Sequence, residues 1–217
     1  ERGVKVKVSN SRIQCYKSCR RMYQLKYVYG LQPVKQSEAI ERGLSYHDMV
    51  EDLLKTGEVH LSGEPKTDAM VTAFARYILP SIDAVAQEEW FEYKTASGNE
   101  VIGRIDARAK DGTLIEHKTV GSEITEEYWY NLENNEQVLT YMAAYGVERM
   151  IYTVCRTPSI RIKKNETEEE FFQRCKEWYT EDTDSKIQMR EIYRAKEDIE
   201  AFKEEQDATI NEMKNAK

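Results

Sequence analysis

The sequence predicts an α/β protein in which a central sheet is surrounded by helices, and three features carry that expectation. From Glu88 to Val120, apolar and polar residues alternate around two turn signals, Ser97-Gly98-Asn99 and Lys110-Asp111-Gly112, the pattern of a three-stranded antiparallel meander. The segments before and after it keep the 3-4 spacing of amphipathic helices. Arg149 to Cys155 then reads as a further, buried strand, stopped by Pro158. With 217 residues, 40% of them hydrophobic and 33% charged, the chain can bury a sizeable core and is too rich in core-formers to be disordered throughout.

Taken in order, Ser9-Asn10-Ser11 supplies an N-cap for a helix over about 11–24, and the Gly30 to Pro33 stretch marks a loop. A second helix is expected over about 38–55, ended by Lys55-Thr56-Gly57. Pro65 to Ala86 continues as helix, with Met70, Phe74, Tyr77 and Ile78 on one face and a break or kink at Pro80. After the meander come a helix over about 123–146 that ends at Gly146, the strand at 149–155 and a short strand at Ser159 to Lys163. A helix from Glu166 to Thr180, a strand from Ile187 to Arg194 and a long charged helix from Lys196 complete the chain. Trp90, Phe91, Tyr128, Trp129 and Trp178 are expected in the core or at seams. No repeat or low-complexity linker divides the sequence, so one domain is expected.

Its charge, 32 basic against 39 acidic residues for a net −7, conceals an asymmetry. Residues 1–35 hold nine basic residues, Arg2, Lys5, Lys7, Arg12, Lys17, Arg20, Arg21, Lys26 and Lys35, against the single acid Glu1. Tyrosines are interleaved with them, and a ring beside a guanidinium suits stacking on bases and pairing with phosphates; a solvated helix with its tyrosines in the core fits the same composition. No run of 18 apolar residues could form a transmembrane helix, and Lys5 and Lys7 break the first apolar residues, so neither membrane contact nor a signal peptide is expected. Cys15, Cys19, Cys155 and Cys175 match none of the usual zinc spacings, although Cys15 and Cys19 would share a helical face; reduced thiols in a cytoplasmic protein are expected.

Chemistry concentrates in the meander. A three-residue turn with Gly112 left-handed pairs Ala109 with Thr113 and places Asp106 opposite Glu116, whereas a two-residue turn would set Asp106 against His117. The first register also sorts Arg104, Asp106, Arg108, Glu116 and Lys118 onto one face and Val101, Gly103, Ile105, Ala107 and Ile115 onto the other. Opposed carboxylates repel unless a cation lies between them. Oxygen ligands from Asp106 and Glu116, with the backbone carbonyl of His117, suit Mg²⁺ or Mn²⁺, and Lys118 beside them would orient an attacking water and offset charge at a phosphate. A surface salt-bridge patch is the alternative reading of the three residues.

Gly103-Arg-Ile-Asp106, Glu116-His-Lys118 and the QxxxY pair Gln137 and Tyr141 resemble the PD-(D/E)XK nuclease superfamily, specifically its RecB-like exonucleases of phages, recombination machines and CRISPR adaptation. Ser9 to Tyr27 resembles that branch's opening helix, and Gly43-Leu-Ser-Tyr-His47 its GxxxH segment. The resemblance implies a restriction-endonuclease-like core, a mixed sheet flanked by helices, filling 1–217: a helical DNA-facing part to 87, the catalytic meander and helix over 88–163, and a completing helix-strand-helix over 164–217. It implies a metal-dependent DNA exonuclease leaving 5′-phosphate and 3′-hydroxyl ends, in a bacterial or phage-infected cytoplasm, with a recombination protein as a candidate partner. His47, Asp106 and Glu116 would then be metal ligands, Lys118 the catalytic lysine, and Gln137 and Tyr141 would line the site. Arg12, Tyr16, Arg20, Arg21 and Arg104 are the candidate DNA contacts. One of Glu88 and Glu89 would approach the metal, with the choice left open. Some members carry an iron-sulfur cluster on one N-terminal and three C-terminal cysteines, and no such C-terminal triplet follows Cys175, so no cluster is expected. A catalytically silent nucleic-acid-binding scaffold is the rival reading.

Overall fold

A computed structural model describes residues 7–215, without the side chains of 85–87; Arg2 and Lys5 of the basic segment lie outside the described residues. The sheet has six strands: β1 (Lys7–Ser9), β2 (Ala84–Lys94), β3 (Glu100–Ala109), β4 (Leu114–Val120), β5 (Arg149–Arg156) and β6 (Ile187–Tyr193). β2, β3 and β4 form the expected antiparallel meander, and β5 lies parallel to β4 and antiparallel to β6, so the sheet is mixed. β1, too short to show a period, was not legible in the sequence; it runs parallel to β3.

Along one edge, β3 pairs with β2 over its whole length. Its other edge is shared, by β1 over Glu100–Ile102 and by β4 at Ala107 and Arg108. The two ladders on that edge therefore stop at Ile102 and at Ala107, and the sheet forks between them. The register at the fork is the one that the three-residue turn predicts, with the Ala109 N–H donating to Thr113 O at 2.9 Å and Gly112 at φ +87°.

Helices cover both faces. On one lie α3 (Glu38–Thr56), α4 (Pro65–Tyr77) and α7 (Glu168–Glu181), packing Tyr46, Val50, Met70, Phe74 and Trp178 against Cys155 and Ile187. On the other, α5 (Glu126–Glu133) and α6 (Glu136–Tyr145) pack Trp129, Val138 and Met142 against Met150, Tyr152 and Val154. Cys155 and Val154 point to opposite sides because side chains alternate along a strand. A third cluster joins α1 (Asn10–Ser18), α2 (Arg20–Tyr23) and α8 (Lys196–Asn215) to β1 and β3 through Ile13, Tyr16, Tyr23, Val101 and Ile210. No helix among the described residues is long and apolar enough to cross a membrane.

Four expected elements change. The helix over 11–24 breaks at Cys19, whose extended backbone (φ −157°) ends α1 and whose Sγ caps α2; Cys15 and Cys19 therefore do not share one helical face. The helix over 123–146 divides at Asn134 and Asn135, because the Asn135 side chain caps a new helix by accepting the Gln137 N–H at 2.9 Å. α4 stops at Tyr77, and the chain reaches β2 through a 3-10 turn at Leu79–Ser81, where Pro80 removes a donor. Ser159 to Lys163 forms no strand; with Pro158 just before it, this stretch joins no ladder.

Candidate active site

Asp106 stands at the fork. Its Oδ2 accepts the backbone N–H of His117 at 2.7 Å, so the carboxylate takes up a donor of β4 where the ladder has opened. From α3, the His47 Nδ1 lies 3.2 Å from Asp106 Oδ1. Burial alone would raise the Asp106 carboxyl, but the bond to His47, its charge and the His117 N–H outweigh it and hold the group well below the usual carboxylate range. The same pair raises His47 against the opposing effect of its own burial.

Glu116, 3% exposed, points from β4 toward α6. Its Oε1 accepts from Lys118 Nζ at 2.6 Å and from Gln137 Nε2 at 3.1 Å. Gln137 also accepts from Lys118 Nζ at 2.9 Å and donates to the Tyr141 hydroxyl at 2.6 Å. The ammonium is thus held by two acceptors, and the cap at Asn135 places Gln137 in the first turn of α6, one turn before Tyr141. Beneath Lys118 lies the Tyr152 ring, 5.8 Å from Nζ.

Glycine at position 103 has a packing cause. A Cβ there would come within 2.4 Å of the ring of Phe91, the β2 residue paired with Gly103, which meets the Tyr141 ring at 5.7 Å.

The other carboxylate oxygen, Glu116 Oε2, is buried and has no hydrogen-bond partner. Burial, together with the negative charge of Asp106, pushes the Glu116 carboxyl up to about 7 against the pull of Lys118. An orphaned buried oxygen beside a second, ionised carboxylate is the environment that a hard divalent cation relieves, so these residues fit such an ion. Among the described residues, no three His, Cys, Asp or Glu side chains converge on one point. A metal here would therefore rest on Asp106 and Glu116, with water, backbone oxygen or phosphate completing its sphere. The His117 ring turns toward α4. It bonds Thr153 Oγ1 at 2.7 Å and packs edge-on to Phe74, and burial holds it down to about 4.

The candidate DNA contacts lie in several settings. Tyr16 is 1% exposed, in the core, so it offers no face to a base; its hydroxyl accepts from Arg20 instead. Arg20 also pairs with Glu212 at 2.8 Å, and Arg12 bonds the Tyr23 hydroxyl and lies over the rings of Tyr23 and Tyr27. Lys17 is held by Glu136 and Glu205. Lys17 and Arg20 of the basic N-terminal segment are thus answered by acids of α6 and α8, which composition could not reveal. Arg21 is exposed and bonded to Gln24. Arg104 pairs with Glu88, and Arg108 with Glu89 at 2.9 Å, so both of these β2 acids are engaged by β3 arginines. Trp90, expected in the core or at a seam, is exposed.

The sequence profile of the PD-(D/E)XK nuclease superfamily matches residues 7–96, which include α3 and His47. No curated protein matches the sequence. Among solved structures, the fold is similar to that of an alkaline exonuclease from Laribacter hongkongensis, with a TM-score of 0.52 and 16% identity over 96% of this chain and 88% of that one. It is also similar to a putative exonuclease from Eubacterium rectale, with a TM-score of 0.53 and 9% identity over 81% of this chain and 77% of that one. Asp106, Glu116 and Lys118 lie beyond the matched stretch, so their geometry stands on the structure itself. The profile match and the fold agree with one another.

Proposed function

We propose that this chain is a divalent-metal-dependent DNA exonuclease that hydrolyses phosphodiester bonds with Mg²⁺ or Mn²⁺. The observation that supports this most is the meeting, where the sheet forks, of two buried carboxylates and an ammonium held in place by Glu116 and Gln137.

A divalent ion held by Asp106 and Glu116 would supply Lewis-acid polarisation of a phosphate oxygen and lower the pKa of an attacking water. His47 and the His117 N–H keep Asp106 ionised, so it is ready to bind a cation without first losing a proton. Lys118 projects beside Glu116, where its ammonium orients the water by donating to it and neutralises charge that gathers on the phosphate in the transition state. Gln137 fixes the Lys118 ammonium from the α6 side, and its other contact, the Tyr141 hydroxyl, is kept protonated by burial. The His117 backbone oxygen remains a candidate for the rest of the ion's sphere.

The test is digestion of end-labelled linear DNA and of closed circular DNA with Mn²⁺, comparing the wild type with Lys118→Ala. Linear DNA should be degraded from its ends, circles should survive, and the variant should leave both intact. Cleaved circles would overturn the exonuclease assignment and keep the nuclease one. DNA that is bound but never cut would favour the silent scaffold.

A further inference from the structure

Of the three tryptophans, Trp129 and Trp178 are buried, whereas Trp90 leaves 70% of its surface in water. Leaving so large an apolar ring wet forgoes roughly 2 kcal/mol of burial, so a ring kept outside a well-packed domain calls for an occupant. Its neighbours indicate which one. Across the β2–β3 ladder, Trp90 is paired with Arg104, whose side chain is 41% exposed and whose guanidinium lies 5.7 Å from the ring centroid. Glu88 engages one terminal nitrogen of Arg104, and a guanidinium has five N–H donors, so others remain for a second acceptor. Arg104 and Asp106 are two residues apart on β3 and face the same way, about 7 Å apart along the strand.

Resting on the nuclease reading, we propose that Trp90 and Arg104 form a binding step for single-stranded DNA: the indole stacks on an unpaired base, and the guanidinium takes a phosphate near the bond to be cut. A flat ring beside a fork of N–H donors matches the two chemistries that every nucleotide presents, a π-face and a phosphate. The base must be unpaired, because in a duplex both faces of a base are covered by its neighbours in the stack. A strand lying on this step continues along β3 toward Asp106, so the platform sets the substrate class as single strands or frayed ends.

The test measures binding of a labelled oligothymidylate and of a blunt duplex in chelator, where nothing is cut. Trp90→Ala should weaken oligothymidylate binding roughly ten-fold and duplex binding far less, with Trp90→Phe retaining most of the affinity. Arg104→Ala should also weaken it and reduce the slope of log affinity against log salt by about one. Unchanged oligothymidylate binding in Trp90→Ala, or an equal loss for duplex, would overturn the proposal. So would a Trp90→Ala protein that changes only its sedimenting mass, since the ring would then be covering a second copy of the chain. The two readings fail separately. A wild type that binds through Trp90 but cuts no DNA with Mn²⁺ would end the nuclease reading and leave the platform standing; cutting with no dependence on Trp90 would do the reverse.

Discussion

The two sides of β4 are built differently. Toward β5 the pairing runs without interruption from Leu114 to Val120, and β5 continues it into β6 over seven further pairs. Toward β3 only Ala107 and Arg108 are paired, and the next residue, Asp106, turns its carboxylate to the β4 backbone. Continuous pairing fixes where Glu116, His117 and Lys118 lie. The opening leaves room for charged side chains that a closed ladder would press together at a cost. The scaffold and the chemistry thus share one strand and are separated by its edges.

The largest effect should come from the open side. Lys118→Ala should lower kcat roughly 10²- to 10³-fold, read from cleavage of end-labelled DNA, while thermal unfolding moves little by comparison. On the closed side the outcome should reverse: Met150→Ala, in the core under β5, should cost about 2–5 kcal/mol in denaturant unfolding and leave kcat per folded molecule unchanged. A Met150→Ala protein that is stable but catalytically dead would break the division between scaffold and site.

pH sharpens the comparison further. Glu116 titrates near 7 in the folded chain against 4.5 unfolded, so the folded state holds the extra proton between those values and stability falls as pH rises through them. His117, held down to about 4 by burial, has the opposite sign over nearly the same window, since there the unfolded chain binds the extra proton. The two slopes offset one another in the wild type. Glu116→Gln removes only the falling one, so in chelator the variant should match the wild type near pH 4 and exceed it by on the order of 3 kcal/mol near pH 8. A difference that does not grow with pH would mean that Glu116 is not buried as described. Smallest of the set, Gln137→Leu should lower kcat about ten-fold by releasing Lys118, with little change in DNA affinity.

How much of this the sequence reveals follows from which forces are local. The β3–β4 register was legible because turn chemistry fixes it, and with it came Asp106, Glu116 and Lys118; the expected sorting of faces does not hold, since Ile105 packs with Leu114, Tyr152 and Val154 on the side to which Glu116 points. The limits of α3 were legible in Ser37 and Gly57, whose capping roles depend only on neighbours in the chain. The fork was not legible, because β1 joins β3 across ninety residues and three residues carry no period. Nor was the break at Cys19, where a capping sulfur overrides a continuous helical pattern. The burial of Tyr16 and the exposure of Trp90 depend on which helix covers which end of the sheet, and no spacing encodes that. Tyr152 under Lys118 follows from the parallel β4–β5 pairing, which is equally long-range.

The proposed divalent ion would sit at the fork, between Asp106 and Glu116. Calorimetric titration of Mn²⁺ into metal-free wild type and Asp106→Asn tests it most directly. The wild type should bind the ion and the variant should bind it at least ten-fold more weakly, the usual scale for losing a contact to the metal or more. Equal affinity in both proteins, or no binding by the wild type, would contradict it.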